Sequence, residues 1–205
     1  MKKTTLFILS LIAFCSAVSG QSAAVYFEII PEQHLLQIES NRRKDMLDMK
    51  KAGQKAAVPN RLGGVSEMTD LTDNYLRIQT SENAAFEMKL FPYRENEQMI
   101  AVIKTVCAPV CDSEISFYTT TWEALPLADH FQLPGHTDFI KDSIDRNDPA
   151  FKQAIRSIDM DLIQFSFASD RPAVIATQSY ESYLPDYIWK ELQPYLKKEI
   201  QVEIR

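Results

Sequence analysis

Long apolar runs are missing from this chain after its first twenty residues. That excludes any later membrane-spanning helix, which needs about 20 consecutive apolar residues. Glycine is scarce, five in 205 residues, and the one pair, Gly63-Gly64, is followed by Val65 rather than by Lys-Ser or Lys-Thr. A phosphate-cradling glycine loop is therefore excluded. A basic excess is also lacking: 22 Lys and Arg stand against 28 Asp and Glu, for a formal charge of −6. Such a body repels nucleic acid and anionic lipid alike. Histidines number three and cysteines three, too few for a ligand-rich metal scaffold or a multiply stapled one. No G-x-S-x-G turn occurs, so a strained-elbow serine hydrolase has no local support.

What is present begins with an address. Lys2 and Lys3 precede the apolar stretch Leu6 to Phe14, and Ser16 to Gly20 supply the small residues that a signal peptidase accepts. Residues 1–20 are expected to be a signal peptide, and residues 21–205 an exported body that is periplasmic or secreted. Cys15 follows the bulky Phe14, which argues against a lipid anchor. The leader carries two lysines and no acid, so its loss leaves the remainder more acidic still. Against this, Asn41 to Arg61 gathers Arg42, Arg43, Lys44, Lys50, Lys51, Lys55 and Arg61. This is either a solvated helix face complementing acids elsewhere or a docking patch for an acidic partner.

Cys107 and Cys111 remain as an even pair in an oxidising compartment. The spacing is C-x3-C with Pro109 between, set between two strand-like runs. A thioredoxin-type motif is C-x-x-C at a strand-to-helix junction. A structural bridge across the turn is the expectation, ahead of a redox pair or free thiols. Closing so short a loop contributes roughly 2 kcal/mol.

Periodicity divides the body. Pro31, Leu35, Leu36 and Ile38 suggest a first helix, and Ser40-Asn41 starts a second, with Met46, Leu47 and Met49 inward and Gly53 as its stop. Pro59-Asn60 and Gly63-Gly64 mark a turn. From Asn74 the period becomes 2: Leu76, Ile78 and Thr80; Phe86, Met88 and Leu90; Met99 to Val106; Ile115, Phe117 and Thr119. Connections this short do not make parallel crossovers. Later come an irregular stretch from Trp122 to Gly135, a helical turn over Asp138 to Ser143, a helix after the cap Asp148-Pro149, and two strands, Asp161 to Ala168 and Ala173 to Ser179. A helix over Pro185 to Tyr195 and an alternating tail, Glu199 to Ile204, follow. The chain thus reads as one α+β domain: an antiparallel β-meander, a curved sheet or half-barrel, packed with an N-terminal helix pair and later short helices.

Candidate chemistry is sparse. His130, His136 and Asp138 give H-x5-H-x-D in the loop, a donor set without a recognised metal spacing. His34, beside Leu35 and Leu36, reads as a helix-surface or edge residue. The acids Asp138, Asp142, Asp145 and Asp148 lack the glycine and the closing Glu of a calcium loop, and Asp148 reads as a helix cap. Trp122 and Phe131 either anchor the irregular loop in the core or line a groove for sugar, lipid or peptide. The candidate binding loop is therefore Trp122, His130, Phe131, His136 and Asp138, with no catalytic residue, metal or cofactor assigned.

The ordered series Asn41 to Asp48, Pro59 to Gly64, Asp73 to Leu76, Met88 to Pro92, and Thr105 to Ser113 continuing through Phe117 to Trp122 resembles the exported proteins grouped as domain of unknown function 3256, found in Bacteroidales-type Gram-negative anaerobes. The resemblance implies an envelope or secreted protein and brings no activity, cofactor or catalytic residue with it. Three functional classes follow. The first is a non-enzymatic binding or assembly module working on an envelope protein, glycan or peptide. The second is an envelope-polymer hydrolase, which needs at least two of Asp112, Ser113, His130, His136 and Asp138 to converge in a cleft. The third is a carrier of an apolar ligand, which needs a closed or half-closed sheet with an unfilled interior.

Overall fold

The computed structural model describes residues 21–205; the expected signal peptide and Cys15 lie outside the described residues. The first helix, α1 (Ala23–Glu28), lies earlier than the sequence pattern suggested, and Pro31 precedes only a single 3-10 turn, Glu32–His34. The apolar spacing over Leu35, Leu36 and Ile38 is that of a loop pinned at two points. Leu35 and Ile38 are buried while Leu36 is exposed. Helix α2 (Ser40–Lys51) buries Met46 and Leu47 and ends where expected. Gly53, at φ 70°, lets its own N–H reach the Lys50 carbonyl and the Gln54 N–H reach that of Met49. This is the Schellman closure that an L side chain adopts with difficulty.

Seven strands then run in chain order, each antiparallel to the last. They are β1 (Ala56–Pro59), β2 (Val65–Leu71), β3 (Tyr75–Ser81), β4 (Ala84–Pro92), β5 (Gln98–Cys107), β6 (Cys111–Thr119) and β7 (Ala124–Leu125). The expected meander is thus present, extended by β1 and β2 before it and by β7 after it, and the sheet is open rather than closed. The first two strands escaped the sequence pattern because β2 is largely polar and only Ser66 and Met68 are buried in it, while β1 is a four-residue edge ending in Pro59. Their turn is organised by Asn60, whose Oδ1 accepts from the Leu62 and Gly64 amides, with Gly63 at φ 80°.

Helices α3 (Leu127–His130) and α4 (Pro149–Ile155) follow, the latter capped by Asp148, whose Oδ1 accepts from Ala150 N at 2.9 Å. The expected turn after Asp138 is a 3-10 turn at His136–Phe139. Strands β8 (Ile163–Phe167) and β9 (Ala173–Gln178), helices α5 (Tyr180–Tyr183) and α6 (Asp186–Leu192), and strand β10 (Glu199–Glu203) complete the chain. The last three strands form their own antiparallel sheet in the order β10-β9-β8.

The long sheet is covered on both faces. Leu76, Ile78, Phe86, Met88, Leu90, Ile100 and Val102 pack under α1 and α2. The alternate residues Phe91, Met99, Ala101, Ile103, Ile115 and Phe117 pack against β8, β9 and the C-terminal helices. Two cores therefore share β4 and β5, which explains why Met99 to Ile103 is apolar without a break. Cys107 and Cys111 form a disulfide across the β5–β6 turn, where the two residues are register partners.

The basic stretch is mostly committed locally: Arg42 to Asp45, Lys44 to Glu28, Lys55 to Glu67, and Arg61 to both Glu32 and Glu39. Phe86, 1% exposed, fills the helical core. Phe86→Ala is expected to lower unfolding stability by about 3–5 kcal/mol, read from denaturant melts.

Candidate functional site: an open strand edge beside the 131–138 loop

In an antiparallel ladder only alternate residues of a strand face a given neighbour. The small sheet fixes which ones. Gln178 N donates to Lys198 O and Ile204 N to Pro172 O, so Ile200 and Val202 face β9. Glu199, Gln201 and Glu203 therefore turn their N–H and C=O outward. On the opposite edge, Ala168 N donates to Ala173 O, so Ile163, Phe165 and Phe167 of β8 face outward.

The β8 edge is sealed by side chains of the long sheet. Asp112 Oδ1 accepts from Ile163 N at 3.3 Å, and Ser113 Oγ accepts from Phe165 N at 3.0 Å while hydrogen-bonding Thr105 Oγ1 at 2.8 Å. The Phe167 amide faces the Glu87 carboxylate. Asp112 and Ser113, two of the residues a hydrolase needed, are thus edge caps for a strand, not partners across a cleft.

The β10 edge is different. It is held at its two ends, by Lys197 N on Phe139 O (2.7 Å) and by Arg205 N on His130 O (2.9 Å). Between these points the 131–138 loop stands away from the strand. The intervening groove has a volume of about 420 Å³ and is lined by Gln132, Pro134, Asp138, Ile200, Gln201 and Glu203, among others. Among the described residues no backbone group outside β9 and no side chain pairs with the outward N–H or C=O of Glu199, Gln201 or Glu203.

The residues singled out in the loop go to separate places. Trp122 and Phe131 are both buried, in different cores on opposite faces of the long sheet, so they share no groove. The turn after β6 puts Trp122 at φ 65° and swings its ring under the helical layer, where it stacks on His34 at 5.6 Å and meets Tyr118 at 5.4 Å. His34 is therefore not a free helix-surface residue, and its burial against these rings, with Lys104 nearby, depresses its pKa. Phe131 packs on Phe165 and Phe117.

His130 is 6% exposed, lies between Tyr93 and Phe117, and places Nδ1 3.4 Å from the Arg205 carbonyl. His136 N and Nδ1 both reach Asp161 Oδ1 at 2.8 Å, and Asp138 Oδ2 accepts from Gly135 N. Both contacts shape the loop. Asp138 alone of the five lines the β10 groove. Among the described residues no group of three or more His, Cys, Asp or Glu side chains is gathered as a metal would require.

A second polar cluster sits where β8 meets β3 and β4. Strand register sets Tyr75 beside Lys89 and Arg77 beside Glu87 on the face toward the small sheet. The alternation of these four with apolar neighbours reads in sequence as a solvent-facing row, yet Glu87 and Lys89 are 4% and 7% exposed because β8 closes over them. The Tyr75 hydroxyl donates to Glu87 Oε2 at 3.1 Å, and Arg77 Nη1 lies 3.8 Å from Oε1. Lys89 Nζ donates to the Ala168 carbonyl. Burial drives the Glu87 carboxyl and the Tyr75 phenol up and the Lys89 ammonium down. This is a satisfied network joining two sheets, and its chemistry is structural.

An open antiparallel sheet with helices on one face and a small sheet on the other defines the class, α+β. The family model described as protein of unknown function (DUF3256) matches residues 15–203, and the chain belongs to that family. The chain is similar to a structure of a domain of an uncharacterized protein from Porphyromonas gingivalis W83, with 25% identity and a TM-score of 0.76, over 87% of this chain and 91% of that one. Among curated proteins none matches. No helix of the described residues is long and apolar enough to cross a membrane.

Because the folded state raises the Glu87 carboxyl above its ordinary value of 4.5, the native protein holds that proton more tightly than the unfolded chain. The stability this confers is complete below 4.5 and is lost as pH rises through the folded value. Glu87→Gln keeps an oxygen acceptor for Tyr75 and removes the buried charge. It is expected to leave the melting temperature unchanged at about pH 4 and to raise it at about pH 7, as thermal melts across that range will read.

Proposed function

We propose that this is an exported envelope protein, periplasmic or secreted, that works as a non-enzymatic binding or assembly module through the groove between β10 and the 131–138 loop. One observation carries the reading. The groove offers a bare length of backbone edge, while Asp112, Ser113, His130 and His136 are engaged in holding strands, the chain's last residue and the loop itself. Hydrolysis needs a nucleophile and base in mutual reach. The His136–Asp161 pair has the orienting half of such an arrangement, but among the described residues no hydroxyl or thiol hydrogen-bonds the His136 ring. The carrier reading asks for a closed or half-closed interior, whereas the long sheet is open and both its faces are filled by side chains.

Thermal-shift measurements on residues 21–205 against extended peptides, envelope glycans and lipid vesicles test the proposal. A ligand at about a hundred times its Kd stabilises a protein by about 2.7 kcal/mol, a rise of roughly 5–10 °C in Tm for a chain of this length. The expected outcome is such a rise for a recurring class of ligand, without consumption of that ligand. Turnover of a glycan or peptide, abolished by His136→Ala, would instead establish the hydrolase reading.

A further inference from the structure

The two outer edges of the small sheet have the same backbone geometry and opposite treatment. On β8 the outward amides of Ile163, Phe165 and Phe167 each face a side-chain acceptor, two of them from β6 and one from β4. On β10 the corresponding groups of Glu199, Gln201 and Glu203 have no partner in the described residues. Natural sheets cover, pair or charge their edges, because an unpaired row of N–H and C=O is a template for another strand. Here the covering loop is fastened at both ends of the strand and bows out between them, leaving the groove of about 420 Å³. Strand β10 is five residues long, so the bare edge measures about 3.4 Å per residue over that length.

We propose that the outer edge of β10 accepts an extended polypeptide segment as a fourth strand of the small sheet, a segment with basic residues on its solvent face and β-branched apolar residues on its inner face. This rests on the binding-module reading and names its partner class. The chemistry follows from the register. Side chains of neighbouring strands at paired positions share a face. Ile200 and Val202 pack on the inner core, while Glu199, Gln201 and Glu203 are exposed on the other face. An incoming strand would therefore set its alternate residues against Ile200 and Val202 and against the Pro134 wall. Its remaining residues would stand opposite Glu199 and Glu203, neither of which has an ion-pair partner within 4 Å among the described residues. Lys197 at the mouth of the groove does not compete for these acids, because its Nζ is held by Asp142 at 3.0 Å.

A second copy of the chain is a poorer occupant. Antiparallel self-pairing centred on Gln201 would oppose Glu199 to Glu203 of the other copy twice, and like charges directly opposite destabilise a sheet. Main-chain pairing supplies affinity in this mode of recognition, and the alternate side chains supply selectivity.

The test uses the synthetic peptide acetyl-Lys-Val-Thr-Val-Lys-amide, whose sequence reads the same in both directions, and residue-resolved amide exchange by NMR on residues 21–205. In the free protein Ile200 and Val202 are expected to be protected, and Glu199, Gln201 and Glu203 to exchange fast. Saturating peptide is expected to slow the latter three by about tenfold or more. The same peptide N-methylated on the threonine and on the second lysine, which removes main-chain donors and keeps the side chains, is expected to give no protection. A Glu-for-Lys peptide is expected to bind more weakly.

The double variant Glu199→Lys, Glu203→Lys alters only exposed side chains and should reverse that charge preference, with Ile200 and Val202 still protected as proof of folding. The inference is overturned if the peptide leaves the Gln201 amide unchanged, if the N-methylated form protects equally, or if the double variant keeps the original preference. A ligand that raises Tm without slowing the Gln201 amide would remove strand addition and leave the binding-module reading in place.

Discussion

The double burial of the β4–β5 pair is the constraint on which the rest of the structure depends. Each of these strands sends one set of side chains under the two N-terminal helices and the other set under the small sheet. Neither core could be emptied without exposing the back of the other. A one-residue slip between them would exchange Met88 and Leu90 for Glu87 and Lys89 in the helical core. The register is thus held from both sides, and the hairpin with its disulfide lies at the far end of the same pair.

The small sheet docks on that pair by polar means as well as apolar ones. Its inward edge would carry unsatisfied amides at Ile163, Phe165 and Phe167, a cost of about 1–3 kcal/mol each where no water reaches them. Asp112 and Ser113 accept from the first two, and the Glu87 carboxyl lies against the third. Polar residues in the middle of a buried seam look like catalytic machinery when found in a list. Here they complete a hydrogen-bond ladder for which no strand is available. The Tyr75 hydroxyl and Arg77 then compensate Glu87, and the Ala168 carbonyl compensates Lys89.

Once that edge is sealed, the asymmetry of the molecule concentrates at β10. Among the described residues its outer backbone has no partner between two fastening points, its exposed face is acidic, and its inner face is apolar. The segment that carries His130, Phe131, His136 and Asp138 acts as a wall fixed by a cap, an edge-to-face ring contact, the His130–Arg205 contact and the Asp161 pair. What the groove offers a ligand is mostly main chain, a feature to which no residue type corresponds.

The alternation from Tyr75 through Thr119 by itself determined the antiparallel meander, because period-2 patterning with short turns admits no other pairing. In the same way Ser40 to Gly53 determined α2 and its stop, and the even pair Cys107 and Cys111 its bridge. Tertiary structure alone decided the rest. It buried Glu87 and Lys89, whose strand pattern reads as solvent-facing, by laying β8 across them. It sent Trp122 and Phe131 to opposite cores, Trp122 through its own left-handed backbone, which no side-chain pattern announces. It left Glu199, Gln201 and Glu203 with an unpaired edge. Local periodicity records which face of an element is apolar; whether a polar face or a strand edge meets water, another strand or nothing is set by elements far away in the chain.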